Sequence, residues 1–112
     1  MKGGLGVGTI RFIVHINTLP VIILVDGGSS DNFLQPRIAK FLKLAIEPAP
    51  LFKVMVGNGN YITAEGMINE LNIQAQRAQF KLLVFLLPIS GVDLILGANW
   101  LKIVTSRSDI RI

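Results

Sequence analysis

The stretch "ILVDGGSSDNF", residues 23–33, ends an apolar run on a carboxylate and follows it at once with two glycines and two serines. Glycine pairs interrupt a strand pattern, so Asp26 reads as the last residue of a buried strand, with a tight turn beyond it. Backbone N–H groups in such a turn can hold a carboxylate in fixed orientation, as a catalytic acid requires. An Asx-type turn, in which the side chain satisfies its own backbone, uses the same residues. Local physics leaves both readings open.

Outward from this turn the chain reads as strands. "TIRFIVHI" (9–16) and "PVIILV" (20–25) form a hairpin, and the second strand, apolar on both faces, is expected to be central and covered. "PRIAKFLKLAI" (36–46) places proline at a helix start and Ile38, Phe41, Leu42 and Ala45 at helical spacing, which predicts a short amphipathic helix. Arg37, Lys40 and Lys43 then form its solvated face, with positive charge near the C-terminal end of the dipole. "EPAP" (47–50) is a rigid connector. "LFKVMV" and "YITAEGMINELNIQ" flank Gly57-Asn58-Gly59-Asn60, a strong hairpin signal because a type I′ turn needs positive φ at both central positions. "AQFKLLVFLLPI" (78–89) and "VDLILG" (92–97) supply two more strands, "ANWLKIV" a closing helix, and "TSRSDIRI" a polar tail with at most one brief strand.

At 112 residues the chain is long enough for one core and too short for two, so 1–112 reads as a single β-rich domain, ordered over about 9–104. Hydrophobic residues make up 51% and charged residues 16%, with a mean hydropathy of +0.57, which excludes a disordered tail and predicts that some apolar surface meets another chain. The net charge of +4 is scattered without runs or interleaved aromatics, so no nucleic-acid partner is expected. Cysteine is absent, which excludes disulfides and thiolate metal sites. The longest apolar run, Leu82 to Ile89, falls short of a membrane span, and "MKGGLGVG" is too glycine-rich for a signal-peptide core; a soluble, unsecreted, cytoplasmic segment is the expectation.

Few residues can carry chemistry. His15, the one imidazole, sits mid-strand among apolar residues and reads as a core or edge histidine, which argues against a nucleophile–histidine triad. Asp26 and Asp31 lack a third acid and the alternation of a calcium loop, so no metal and no cofactor is expected. "GLGVG" (4–8) has the wrong spacing for a dinucleotide fingerprint and opens a strand, and "GNGN" sits at a hairpin tip. The carboxylates remain.

The pattern resembles the aspartic protease domain of retroviruses and retrotransposons, and most closely that of gypsy-type retrotransposon polyproteins. "ILVDGGSSDNFLQPRIAKFLKL" is similar to that family's strand, catalytic turn and helix, "FKVMVGNGNYITAEG" to its flap, and "VDLILGANWLK" to its closing Leu-Gly and Trp-Leu motif, together spanning 10 to about 103. The resemblance implies a mostly β, closed barrel-like retropepsin (acid protease) fold, one lobe per chain, with one or two short helices and a flap hairpin. It implies a homodimer in which Asp26 of each chain joins a shared catalytic dyad that cleaves an extended peptide of a polyprotein. Gly27, Gly28 and Ser29 fall in the active-site loop: Gly28 matches the glycine whose missing Cβ lets the loop turn, and Ser29 the position where some relatives bond the outer oxygen of the aspartate. Met55, Val56, Gly57, Asn58, Gly59, Asn60, Tyr61 and Ile62 match the flap that closes over substrate. Asp93 matches an acid that only precedes a strand, and reads as structural.

The sequence departs from the family at two places. The central residue of the triplet carries a hydroxyl that braces the partner's loop, and here that residue is Gly27. Beyond Trp-Leu the relatives add a strand, whereas "IVTSRSDIRI" diverges. A second expectation therefore stands beside the first: a weakened or inactive domain of the same fold, acting as a dimerisation or peptide-binding module.

Overall fold

A computed structural model of the chain describes residues 9–49, 53–55, 59–75 and 77–106. The glycines of "GLGVG", Val56, Gly57 and Asn58 of the expected flap, and the tail from 107 lie outside the described residues.

β1 (Thr9–Ile16) and β2 (Leu19–Asp26) form the expected hairpin, in a register that pairs Ile16 with Leu19 and Thr9 with Asp26. Its two turn residues, Asn17 and Thr18, both have positive φ (48° and 71°), as a type I′ turn demands. β3 (Phe33–Leu34) and α1 (Pro36–Phe41) follow, then β4 (Lys53–Met55) and β5 (Tyr61–Thr63), which pair as a separate two-stranded sheet. β6 (Met67–Ala75) and β7 (Ala78–Leu86) form a second long hairpin, followed by β8 (Leu94–Leu96) and α2 (Ala98–Thr105).

The long strands and the two short ones close a six-stranded barrel in the order β1-β2-β8-β3-β7-β6. Each half of the chain repeats one plan: a hairpin, a short strand, a helix. The short strand of each half runs parallel to the second strand of the other, β3 beside β7 and β8 beside β2, while β3 and β8 pair antiparallel between them. This exchange brings the end of β2, where Asp26 lies, next to the start of α2. Closure leaves no free edge within the barrel.

Alternation fills the interior. In β7 every second side chain from Ala78 to Leu86 is buried, and β2 buries Val21, Ile23 and Val25. β6 keeps its apolar residues inside through a bulge: Ile68 pairs with Val84 but Leu71 with Leu82, so Asn69 and Glu70 both face out. Trp100 from α2 is fully buried, with Phe12 and Phe80 at ring-centroid distances of 6.3 and 6.0 Å. No helix among the described residues is long and apolar enough to cross a membrane.

Two expectations change and one segment divides. The first helix stops at Phe41, not Ile46, because Lys43 adopts a left-handed conformation (φ 55°) while its N–H donates to the carbonyl of Lys40 and that of Leu44 to Ala39. This pair of bonds is a Schellman motif, which turns Phe41 outward to 72% exposure and leaves Ala45 exposed. The segment 61–74, which flanks the expected hairpin, divides into β5 and β6 at Ala64-Glu65-Gly66 where the small sheet leaves the barrel; a Cβ on Gly66 would lie 2.7 Å from Ile46 and 3.0 Å from the Glu47 carbonyl oxygen. β2 is central in its hydrogen bonding but open on its outer face, where Ile22 is 43% exposed opposite Ile13 at 62%.

Candidate active site

Asp26 is the last residue of β2 and is half-buried. Its Oδ1 accepts a hydrogen bond from the backbone N–H of Gly28 at 2.9 Å, and its carbonyl accepts from the N–H of Ser29 at 3.0 Å. The turn is therefore an Asx-type turn that fixes one carboxylate oxygen, Oδ1, through a backbone N–H. Among the described glycines only Gly59 and Gly91 have positive φ, so neither Gly27 nor Gly28 is needed for a left-handed turn. A Cβ on Gly28 would lie 3.3 Å from Oδ1 of Asp26, a tight contact that the carboxylate would have to shift a few tenths of an ångström to relieve. Close approach of backbone to carboxylate is the glycine's role. The hydroxyl of Ser29 turns to the carbonyl of Asp31 (2.9 Å) rather than to the aspartate.

The back of the loop is pinned to the start of α2. Ala98 N–H donates to the Ser29 carbonyl at 2.7 Å, and a Cβ on Gly97 would stand 2.5 Å from that oxygen and 2.6 Å from the Asp31 carbonyl oxygen. Asn32, 5% exposed, is the one buried polar side chain among the described residues; it accepts from Gly97 N–H (2.9 Å) and donates to the Leu83 carbonyl (3.1 Å).

In front of the loop lies a cleft of about 540 Å³ bounded by Asp26, Gly28, Ser29, Phe33, Ile62, Leu87, Pro88, Ile89, Ser90 and Ile95. Among the described residues Asp26 is the one ionisable side chain on that wall; the other described side chains there are apolar apart from two serines. Of the expected flap's described residues, Ile62, from β5, lines the cleft, whereas Tyr61 is 61% exposed. Met55 pairs with Tyr61 across the small sheet, Gly59 has the φ of 86° that glycine permits, and Asn60 is exposed near the tip. Another hollow of about 520 Å³ lies between Ile16, Leu44 and the β6 bulge, but there Glu47 is taken up by a bond from Asn69 (2.7 Å). Size does not separate the two concavities; a turn built to present a carboxylate does.

Asp93 is structural, as read. Its carboxylate accepts from Ile22 N–H (2.8 Å) and from the Arg37 guanidinium (3.0 Å), joining β2, the approach to β8 and α1. Lys40 approaches Glu65 at 3.8 Å, so two of the three helix cations are ion-paired at the surface. His15 is exposed opposite Pro20, six strand positions from the residue facing Asp26, about 20 Å at strand rise. It takes no part in the site.

Asn32 and Gly97 escaped the sequence reading as site residues. "DNF" marked Asn32 only as part of a motif, and Gly97 only as the end of a strand; their meeting spans 65 positions.

Residues 13–103 match the model of a protein family described as "gag-polyprotein putative aspartyl protease". Among solved structures, the fold is similar to the retroviral protease-like domain of Ddi1 from Leishmania major, at a TM-score of 0.60 and 21% identity over 87% of this chain and 74% of that one. It is also similar to a retropepsin-like aspartic protease from Rickettsia conorii, at a TM-score of 0.62 and 20% identity over 85% and 71% of the respective chains. No curated protein matches the chain by sequence.

Proposed function

Because the chain belongs to the gag-polyprotein aspartyl protease family, we propose that it is an aspartic endopeptidase whose active form is a homodimer, each copy contributing one Asp26. The carrying observation is Asp26 itself, held through Gly28 at the wall of an otherwise uncharged cleft. One carboxylate cannot serve as both base and acid in the same step; two facing carboxylates can, because like charges a few Å apart share a proton. The ionised aspartate takes a proton from water, whose oxygen attacks the peptide carbonyl carbon, while the protonated partner donates to the carbonyl oxygen. The aspartate that took the water proton then passes it to the amide nitrogen while its ionised partner takes a hydroxyl proton from the tetrahedral diol, so the C–N bond breaks, acid and amine leave, and the pair again holds one proton.

The substrate is an extended segment of a polyprotein, of gypsy-type retrotransposon origin. The β4–β5 flap closes over it by adding main-chain hydrogen bonds, and Ile62 brings apolar surface down on the cleft. Cleavage of a peptide library at mildly acidic pH, inhibited by pepstatin and abolished by Asp26→Asn, is the expected result. Activity that survives Asp26→Asn refutes the assignment.

One observation favours a second reading. Gly27, exposed at the turn, offers no hydroxyl to a partner loop. On this reading the domain pairs weakly, and acts as a peptide-binding or dimerisation module with little or no hydrolysis. Peptide binding without cleavage, at concentrations where sedimentation shows the dimer, separates it from the first.

A further inference from the structure

We propose that Asn32 is the positioning residue of the catalytic turn, an inference that rests on reading Asp26 as the reacting carboxylate. The side chain is nine-tenths buried and its amide has one chemically consistent orientation. Its oxygen must face the donor at Gly97 N–H, and its nitrogen the acceptor at Leu83 C=O. Its backbone carbonyl is also taken, accepting from Phe85 N–H at 2.9 Å. Asn32 thus holds three points of β7 and the α2 start at once.

The consequence runs to Asp26 through short contacts. Asn32 fixes Gly97; the Gly97-Ala98 corner meets the carbonyls of Ser29 and Asp31 with no space for a methyl group, and Ala98 N–H donates to Ser29 O. Ser29 N–H in turn donates to Asp26 O, and Gly28 N–H between them to Oδ1. Nothing on this route touches the cleft wall except Asp26, Gly28 and Ser29. Loss of the Asn32 amide should therefore change how the carboxylate is aimed more than how peptide is bound.

Two substitutions in the full chain test this. Asn32→Ala removes both bonds. Asn32→Asp keeps the acceptor for Gly97 but, once ionised, sets an oxygen against the Leu83 carbonyl; protonated, it can donate there as the amide does. Burial beside a carbonyl favours the protonated form, so this variant should match wild type at acid pH and lose function relative to it as pH rises. In Asn32→Ala, kcat should fall about tenfold or more with KM within about twofold, the pattern of lost transition-state alignment. Amide hydrogen exchange at Ser29 and Ala98 should quicken by about tenfold while the β6–β7 hairpin keeps its protection.

Acceleration shared equally by the β6–β7 amides, or unchanged exchange at Ser29 and Ala98, overturns the proposal. Should Asn32→Ala not fold, Asn32→Asp compared at acid and neutral pH decides by the same amides. A wild-type protein that cleaves nothing would overturn the hydrolase reading alone, because the exchange measurement still judges Asn32.

Discussion

Gly28 and Asp26 share one oxygen: the glycine N–H donates to Oδ1 at 2.9 Å, and a Cβ on the glycine would stand 3.3 Å from it. The bond and the missing side chain act on the same atom, since a Cβ here would crowd the oxygen that the N–H holds.

Gly28→Ala is therefore expected to leave the fold intact and misalign the acid. The φ at Gly28 suits alanine, so stability should change by less than about 1 kcal/mol, while a displacement of a few tenths of an ångström at Oδ1 lowers kcat about tenfold. Urea denaturation and steady-state kinetics on the same preparation check both halves. A large stability loss with unchanged kcat would contradict the geometry.

Restoring a hydroxyl at Gly27 should strengthen pairing. Gly27 lies outside the left-handed region, so Gly27→Ser introduces no backbone strain and lowers the entropy of the unfolded chain. A hydrogen bond of about 0.5–1.5 kcal/mol on each side corresponds to at least a severalfold tighter dimer. Sedimentation equilibrium of both proteins gives the ratio; equal dissociation constants would show that the hydroxyl is not what is missing.

Asp93 and Arg37 form an ion pair at 3.0 Å, yet truncating the two should have unequal effects. Arg37 is 70% exposed along its side chain, and its removal forfeits a solvent-screened contact of well under about 1 kcal/mol. Asp93→Ala also removes the acceptor of Ile22 N–H at the β2–β8 seam, which costs about 0.5–1.5 kcal/mol more. Thermal melts at low and high salt separate them: the Arg37 effect fades with salt, the Asp93 effect does not.

Lys43 occupies the left-handed C′ position of a Schellman motif, where glycine is the usual resident. Lys43→Gly should stabilise the domain by about 0.5–1 kcal/mol through relief of the αL penalty. A melting temperature raised by about 2–5 °C is the expected reading, with activity unchanged because α1 stands away from the cleft.

The sequence by itself determined the barrel's strands and set a carboxylate, Asp26, at the end of one of them. Alternation in β7, the apolar run ending at Asp26 and the turn residues between hairpins are local signals, and a strand's period of two is written in consecutive residues. Asp93 is set aside as structural only through the family resemblance, and its bonds to Ile22 and Arg37 agree with that reading. The end of α1 was not legible, because its stop signal is a lysine in the conformation that glycine usually announces. Nor was the break at Gly66, whose need for a missing side chain comes from Ile46 and Glu47 twenty residues away.

Only the tertiary structure decided what holds Asp26 in place. The exchange of short strands between the two halves brings Gly97 against Ser29 and Asp31, and lets Asn32 reach across to Gly97 and Leu83. No local pattern encodes those meetings, since a hydrogen bond across 65 positions depends on where the chain returns. A carboxylate is named by its residue type, but its aim is a property of the packed loop around it.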